Sequence, residues 1–541
     1  MELRKKIARL VSSSISNREG DDVAGQFRRL RREVVELGVG GYTVFGGNVD
    51  STATLVEQLS EEASHSLLVS SDLERGLGQQ LEGGTVFPPQ MAVGATGITD
   101  LAFAQGWATG REARAAGIDV VFAPVADVAS EPSNPIIGVR SFGADPEVVA
   151  SMTAAFVRGC QQAGTAATAK HFPGHGDTRR DSHIELATVT ADRATMDRRE
   201  LIPFKAAIDA GVRAMMTAHV AFPALTGSDV PATLSGEIMT ELLRRELGFD
   251  GLLFTDALLM GAISSRMGPV EAALAALVAG ADVLLMPTDV DAVIEGLRTA
   301  VDDGRLTEER IDRSLARMDD LHAWLGDKLE EEVGHIDFPP EIAGAFEDWT
   351  AHDANHRADG FGDYEQLAMN IARRSVTALS GEGSLPVSVE ELADKTVLLV
   401  VAADSDARVN SVWLRSQLAA RVGELVVRDI DERVSASDRE NIVRSSGESA
   451  MTVAALFDDV AAWRGRSGPS RELMTVLRDV CSAAERSTVL VFAGPSVARS
   501  VDWAPAALCC YDGSRPCQKA AVEALFGSFS PTGSLPDVPG A

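Results

Sequence analysis

Residues 166–183 read AATAKHFPGHGDTRRDSH. The opening residues form a short apolar run that ends in Lys170 and His171. Pro173, Gly174 and Gly176 follow, residue types that end regular structure and make turns. The stretch therefore predicts a strand that hands over to a loop, and the chemistry lies at the handover.

The same layout recurs on both sides. GYTVFGG (41–47), SLLVSSDLE (66–74), VVFAPVADV (120–128), AMMTAHVAFP (214–223), GLLFTDAL (251–258) and DVLLMPTD (282–289) are apolar runs closed by polar residues or glycine. Helix-like stretches separate them, at 99–116, 145–164, 198–211, 235–246, 268–280 and 306–325. Strand–helix alternation predicts a parallel sheet covered by helices. This many units before residue 326 predict an N-terminal (β/α)8 TIM-type barrel over 1–326 rather than a doubly wound sheet. Asp72, Glu74, Asp127, Lys170, His171, His219 and Asp256 fall at the carboxyl ends of the predicted strands. That end of such a barrel carries the active site.

Residues 327–365 are acidic and rich in turn formers, and are expected to be a linker. From 366 to 541 the α/β texture returns, with a predicted helix at YEQLAMNIARRSV and strands at 396–402, 424–430, 487–494 and 506–512. This predicts a smaller doubly wound α/β domain.

The chain has 541 residues, 50 basic and 79 acidic, for a net charge of −29. Such a balance argues against nucleic acid or an anionic membrane as partner. Five cysteines, an odd number without metal-binding spacing, suit free thiols in a reducing compartment. The N-terminus lacks the apolar core of a signal peptide, and no apolar run is long enough to span a bilayer. A cytoplasmic location is expected.

The loop from Lys170 to His183 holds three of the nine histidines in the chain. A metal site is one reading, with His171, His175, Asp177, Asp181 and His183 as ligands. Against it, HExxH is absent and Pro173 and the glycines keep these side chains off one helix face. Neither a metal nor an organic cofactor is expected. The alternative is acid/base work. Asp181 stands two residues before His183, close enough to accept a hydrogen bond from the imidazole and fix its tautomer. A histidine held so can protonate a leaving oxygen and later deprotonate water. Asp256, at the end of the apolar strand GLLF, is either a helix N-cap or a carboxylate nucleophile.

Six motifs occur in order: GVGGYTVFGGN, SSDLERGLGQ, FAPVADV, NPIIGVRSFG, KHFPGHGDT…DSH and GFDGLLFTDALLM. With them the chain resembles glycoside hydrolase family 3 over about residues 1–325, and within it the two-domain β-N-acetylglucosaminidase branch. SFSPTGSLP near the C-terminus resembles the usual ending of the family. The resemblance implies Asp256 as nucleophile and His183 as general acid/base with Asp181 as its partner. It implies Lys170, His171, Arg140 and Asp72 as sugar contacts. Asp127 and His175 join them as candidate binding residues, with His175 and Asp177 also expected to order the loop. Where that branch often reads DxEGGxV, this chain has Asp72-Leu73-Glu74-Arg75-Gly76-Leu77, so Arg75 stands at a different offset as a candidate substitute. Ala257 replaces a second Asp common after the nucleophile.

The implied activity is removal of terminal β-linked N-acetylglucosamine with retention, from peptidoglycan fragments or chito-oligosaccharides, by a monomer or homodimer. The alternatives are a β-N-acetylglucosaminide phosphorylase and a β-glucosidase or β-xylosidase of the same family.

Overall fold

A computed structural model describes residues 2–17, 23–330, 364–381, 384–407, 409–458 and 467–536. The chain is an α/β protein that divides into two compact units. The first takes 1–85, 99–131 and 146–364, and the second takes 86–98, 132–145 and 365–541.

The first unit is an eight-stranded, all-parallel barrel. Its strands are β1 (Val11–Ser16), β2 (Gly41–Phe45), β3 (Leu68–Ser71), β4 (Val120–Val121), β5 (Ala166–Phe172), β6 (Ala214–Thr217), β7 (Leu252–Phe254) and β8 (Leu284–Leu285). Neighbours in sequence are neighbours in the sheet, and β8 pairs with β1. A parallel bridge between Phe254 and Val283 closes the ring between β7 and β8. Strand β1 is the one barrel strand absent from the sequence expectations. Its VSSSIS is poor in apolar residues, yet Ser12 and Ser13 are buried. Small hydroxyls fill tight places between strands; Thr43 Oγ1 lies 3.1 Å from Ser70 Oγ on the next strand.

Two of the covering helices, Thr99–Ala115 and Pro146–Gln162, cross at glycines. A Cβ on Gly106 would stand 2.3 Å from the Phe156 carbonyl oxygen, and one on Gly159 would stand 2.1 Å from that of Phe103. The helices pack backbone to backbone there, so the glycines set their distance.

At the amino end of β8, the fully buried Asp282 ties strands to helices. Its Oδ2 accepts from Arg244 Nη2 at 2.6 Å and from the Leu253 amide at 3.1 Å. Its Oδ1 accepts from Ser314 Oγ at 2.7 Å and Arg317 Nη1 at 3.2 Å, both on the helix Glu308–Glu330. Truncating one partner of a buried, hydrogen-bonded ion cluster strands the other charges. Asp282→Ala is expected to lower unfolding free energy by about 3–5 kcal/mol in urea titrations.

The helix Glu308–Glu330 runs into the segment expected to be a linker, through its first four residues. Residues 331–363 of that expectation lie outside the described residues, and its last residue, Glu365, opens the helix Glu365–Ser375. No helix among the described residues is long and apolar enough to cross a membrane.

The second unit is a six-stranded sheet of β9 (Thr377–Ser380), β10 (Thr396–Ala402), β11 (Glu424–Ile430), β12 (Met451–Phe457), β13 (Ser487–Phe492) and β14 (Ala507–Cys509). Their order is β9-β14-β13-β12-β10-β11. All pairs are parallel except β9 with β14, which is antiparallel. The unit is not confined to 366–541. The early helix Gln90–Thr96 belongs to it, and the Ala95 carbonyl accepts the Ser534 amide at 3.0 Å. The neighbouring Gly533 donates to the Val376 carbonyl, and a Cβ there would lie 2.1 Å from the Ser375 carbonyl oxygen. The glycine of the SFSPTGSLP motif is therefore required by close backbone approach.

Candidate active site

The carboxyl ends of β3, β5, β6 and β7 bring together the charged and imidazole side chains of the first unit. Lys170, in β5, is almost fully buried. Its Nζ donates to Asp72 Oδ1 at 2.6 Å and lies 2.8 Å from Glu74 Oε1. A buried ammonium is tolerated because it is paired. Asp72 keeps 31% of its side chain exposed, whereas Glu74 is buried. The lysine thus bridges a solvent-facing carboxylate and an internal one. Glu74 stands two residues after Asp72, in the turn that follows the end of β3 at Ser71.

Asp127 is buried beneath the loop. Its Oδ1 accepts from the His175 amide at 2.6 Å, and its Oδ2 accepts from His171 Nδ1 at 2.8 Å. Burial pushes its pKa up, but His171 and His175 outweigh this and hold it below the usual value. An ionised Asp127 only accepts, so His171 carries its proton on Nδ1. Asp127 therefore shapes the loop from below.

His175 is buried as well. Thr178 donates to the His175 carbonyl, so His175 Nδ1 donates to Thr178 Oγ1 at 2.9 Å. Its Nε2 accepts from Ser182 Oγ at 2.9 Å. Both ring nitrogens are taken by the loop's own hydroxyls. The His175 ring is thereby bonded within the loop itself. Asp177 accepts from Arg199 Nη2 at 2.6 Å. A Cβ on Gly174 would lie 2.7 Å from Cγ of the buried Glu200, and its φ of +136° is one that L residues rarely adopt.

The loop then rises to Asp181 and His183. Asp181 Oδ1 accepts from the His183 amide at 2.8 Å and from His183 Nδ1 at 2.9 Å. Asp181 is buried, and His183 keeps 23% of its side chain exposed. The two-point grip fixes the ring and makes Nε2 the nitrogen for proton exchange. The loop is stitched to the segment after β7: the Gly261 amide donates to the His183 carbonyl at 3.0 Å.

Asp256 lies two residues past the end of β7, partly open to solvent. Its Oδ1 accepts from the Ala257 amide at 2.8 Å. Burial works against its ionisation, but His219, His171 and His183 lie near enough, with the Ala257 amide, to hold its pKa at about 2. It is no N-cap of a long helix; the next helix, Gly261–Ser264, begins five residues later.

The structure thus gathers Asp72, Lys170, Asp127, His171, His175, Asp181, His183 and Asp256 in one unit. Arg75 is half-buried in the turn after β3, where its amide donates to Gln79 Oε1 at 2.8 Å. Arg140 belongs to the second unit, in the segment 132–145, and donates to the Ile136 carbonyl at 3.1 Å. His219 stood out in sequence only as a strand-end polar residue. It is fully buried, with Nδ1 2.7 Å from Thr233 Oγ1 and Nε2 3.0 Å from the Ala257 carbonyl oxygen. An ionised carboxylate beside an oriented imidazole is the equipment of two-step group transfer at a sugar carbon.

The family model described as glycosyl hydrolase family 3 N terminal domain matches residues 2–321. The chain belongs to glycosyl hydrolase family 3. Within the family it is 34% identical over 409 residues to Beta-hexosaminidase A of Pseudoalteromonas piscicida, covering 69% of this chain and 65% of that protein. It is 36% identical over 299 residues to the Beta-N-acetylglucosaminidase/beta-glucosidase of Cellulomonas fimi, covering 54% of this chain and 53% of the relative. It therefore spans about half to two thirds of the length of these curated relatives. Among solved structures, a family 3 beta-N-acetylglucosaminidase from Paenibacillus sp. str. FPU-7 aligns with a TM-score of 0.82 and 32% identity, covering 99% of this chain and 98% of that one. A beta-glucoside phosphorylase aligns at a TM-score of 0.81 but 23% identity, a likeness of fold alone.

Proposed function

We propose that this family 3 chain is a retaining exo-β-N-acetylglucosaminidase acting on terminal β-linked N-acetylglucosamine. The observation that carries the reading is the Asp181–His183 pair at 2.9 Å, in one unit with an Asp256 carboxyl held at about 2. Asp256 attacks the anomeric carbon while His183 gives a proton to the glycosidic oxygen, and the leaving alcohol departs. His183 then takes a proton from water, whose oxygen displaces Asp256 and restores the β configuration. Asp72, Lys170 and His171 receive the sugar hydroxyls, with Arg75 as a further contact. The names borne by the relatives support the N-acetylglucosamine specificity. Peptidoglycan fragments and chito-oligosaccharides are the natural substrates proposed. Five unpaired, buried cysteine thiols support a reducing compartment, the cytoplasm.

The test is a panel of p-nitrophenyl β-glycosides, with and without phosphate, followed by NMR of the first-formed sugar. Fastest cleavage of the N-acetylglucosaminide, with the β anomer appearing first and no sugar phosphate, is expected. Faster turnover of the β-glucoside or β-xyloside would overturn the specificity. First appearance of the α anomer would overturn retention. Sugar 1-phosphate would make the chain a phosphorylase.

A further inference from the structure

His219 has no part in the two-step scheme, yet its surroundings are built around it. It follows β6 by two residues and is fully buried. Its Nε2 lies 3.0 Å from the Ala257 carbonyl oxygen, and a carbonyl only accepts, so Nε2 carries hydrogen. Burial pushes the pKa of His219 below its usual value, against the opposing pull of the Asp256 carboxylate. Nδ1 lies 2.7 Å from Thr233 Oγ1, whose hydroxyl donates to the Ala218 carbonyl at 3.0 Å. Thr217 Oγ1 lies 2.9 Å from the same hydroxyl and supports it.

The carbonyl that receives the Nε2 hydrogen belongs to Ala257, the residue whose amide holds Asp256 Oδ1 at 2.8 Å. The Ala257 amide is thus committed to Asp256, and its carbonyl is shared by His219 and the Met260 amide, each at 3.0 Å. The segment around them is short and irregular, between the end of β7 at Phe254 and the helix starting at Gly261. The Leu258 amide donates to the Leu285 carbonyl at 2.9 Å, so backbone bonds hold the other side of the Ala257–Leu258 peptide, and the His219 imidazole adds a side-chain hold at the carbonyl next to the Asp256 contact.

We propose that His219 is the positioning residue for the nucleophile, locking the turn at Ala257 so that Asp256 Oδ1 is held and Oδ2 is presented to the anomeric carbon. The inference rests on the reading of Asp256 as nucleophile. It adds a third strand, β6, to the two that carry the reacting groups. It also explains how a carboxylate two residues past its strand keeps one orientation without a long helix behind it.

The experiment compares His219→Gln with His219→Asn in the full chain. A glutamine amide nitrogen reaches the place of Nε2 and can still donate to Ala257. An asparagine amide nitrogen reaches only the place of Nδ1, beside Thr233. The two variants are alike in polarity and differ in which bond they keep. H219Q is expected to keep kcat on p-nitrophenyl β-N-acetylglucosaminide within about fivefold, and H219N to lose about 100-fold, the cost of a misplacement near 1 Å. KM should stay within about twofold in both, since the sugar contacts are untouched. Labelling by 5-fluoro-N-acetylglucosaminyl fluoride, a slow donor that leaves its sugar on the nucleophile, reads the attacking step directly. Expected is wild-type label on Asp256, with attachment slowed in H219N and not in H219Q. Equal labelling rates in the two variants, with label on Asp256, would overturn the positioning role alone. A loss in H219N that falls on KM, or that accompanies a drop in melting temperature, would reduce His219 to a structural role. Label on another residue would overturn the catalytic reading itself, and this inference with it.

Discussion

Asp256→Ala is expected to reduce kcat on p-nitrophenyl β-N-acetylglucosaminide by at least about 10⁴-fold, while leaving the far-ultraviolet circular dichroism unchanged. The side chain is partly exposed and holds one backbone amide, that of Ala257, so little of the fold depends on it. The chemistry depends on it fully, because no covalent intermediate forms without a nucleophile. Its carboxyl, held at about 2, is ionised throughout the neutral range. The sign follows from the depressed pKa: the ionised form is favoured in the folded chain, and the benefit disappears only as pH falls through about 2. Loss of activity between pH 4 and 6 is therefore expected to come from groups other than Asp256, and stopped-flow pH–rate profiles of the first turnover check this. Retention of substantial turnover by the alanine variant would remove Asp256 from the mechanism.

His183→Ala is expected to show a different pattern, one that depends on the leaving group. A sugar alcohol needs a proton as it leaves, whereas dinitrophenolate leaves unaided. The first-step rate on chitobiose should fall by about 10² to 10⁴-fold. The first-step rate on the dinitrophenyl glycoside should fall by about tenfold or less, because the acid's contribution is absent there. The second step still lacks its base, so the glycosyl-enzyme should accumulate, and azide should discharge it as a β-glycosyl azide. Asp181→Asn should resemble His183→Ala in part, since the amide no longer pairs with the imidazolium formed in the second step. Equal losses on both substrates would show that His183 holds the site together without moving a proton.

Much of this was legible in the sequence where the signal was local. The pair at 181 and 183 sits two residues apart in a Pro- and Gly-containing loop, and the structure joins them directly. Strands β10 and β11 have the bounds their apolar runs predict. Other features depend on partners far away in the chain. Strand β1 has four serines in six residues, and its burial follows from closure of the ring against β8, which no local hydropathy pattern announces. Strand β12, MTVAALF, was not among the predicted strands although it sits in the middle of the second sheet. His219 contacts the backbone of residue 257 across two neighbouring strands, and backbone acceptors leave no mark in a sequence. His175 was ambiguous because a histidine that binds sugar and one that braces a loop look alike until the hydroxyls of Thr178 and Ser182 are placed.

The bond between Ser534 and Ala95 has a consequence for how the molecule is made. A ribosome delivers the helix Gln90–Thr96 long before the sheet it belongs with, and long before its partner Ser534. Loop closure over such separations is entropically costly and slow. The early helix must wait with apolar side chains such as Met91 and Val93, which are buried in the finished molecule, still unmatched. Nascent chains of this protein are thus exposed to misassembly while the intervening residues are made, and Ser534 closes a contact that Ala95 opened.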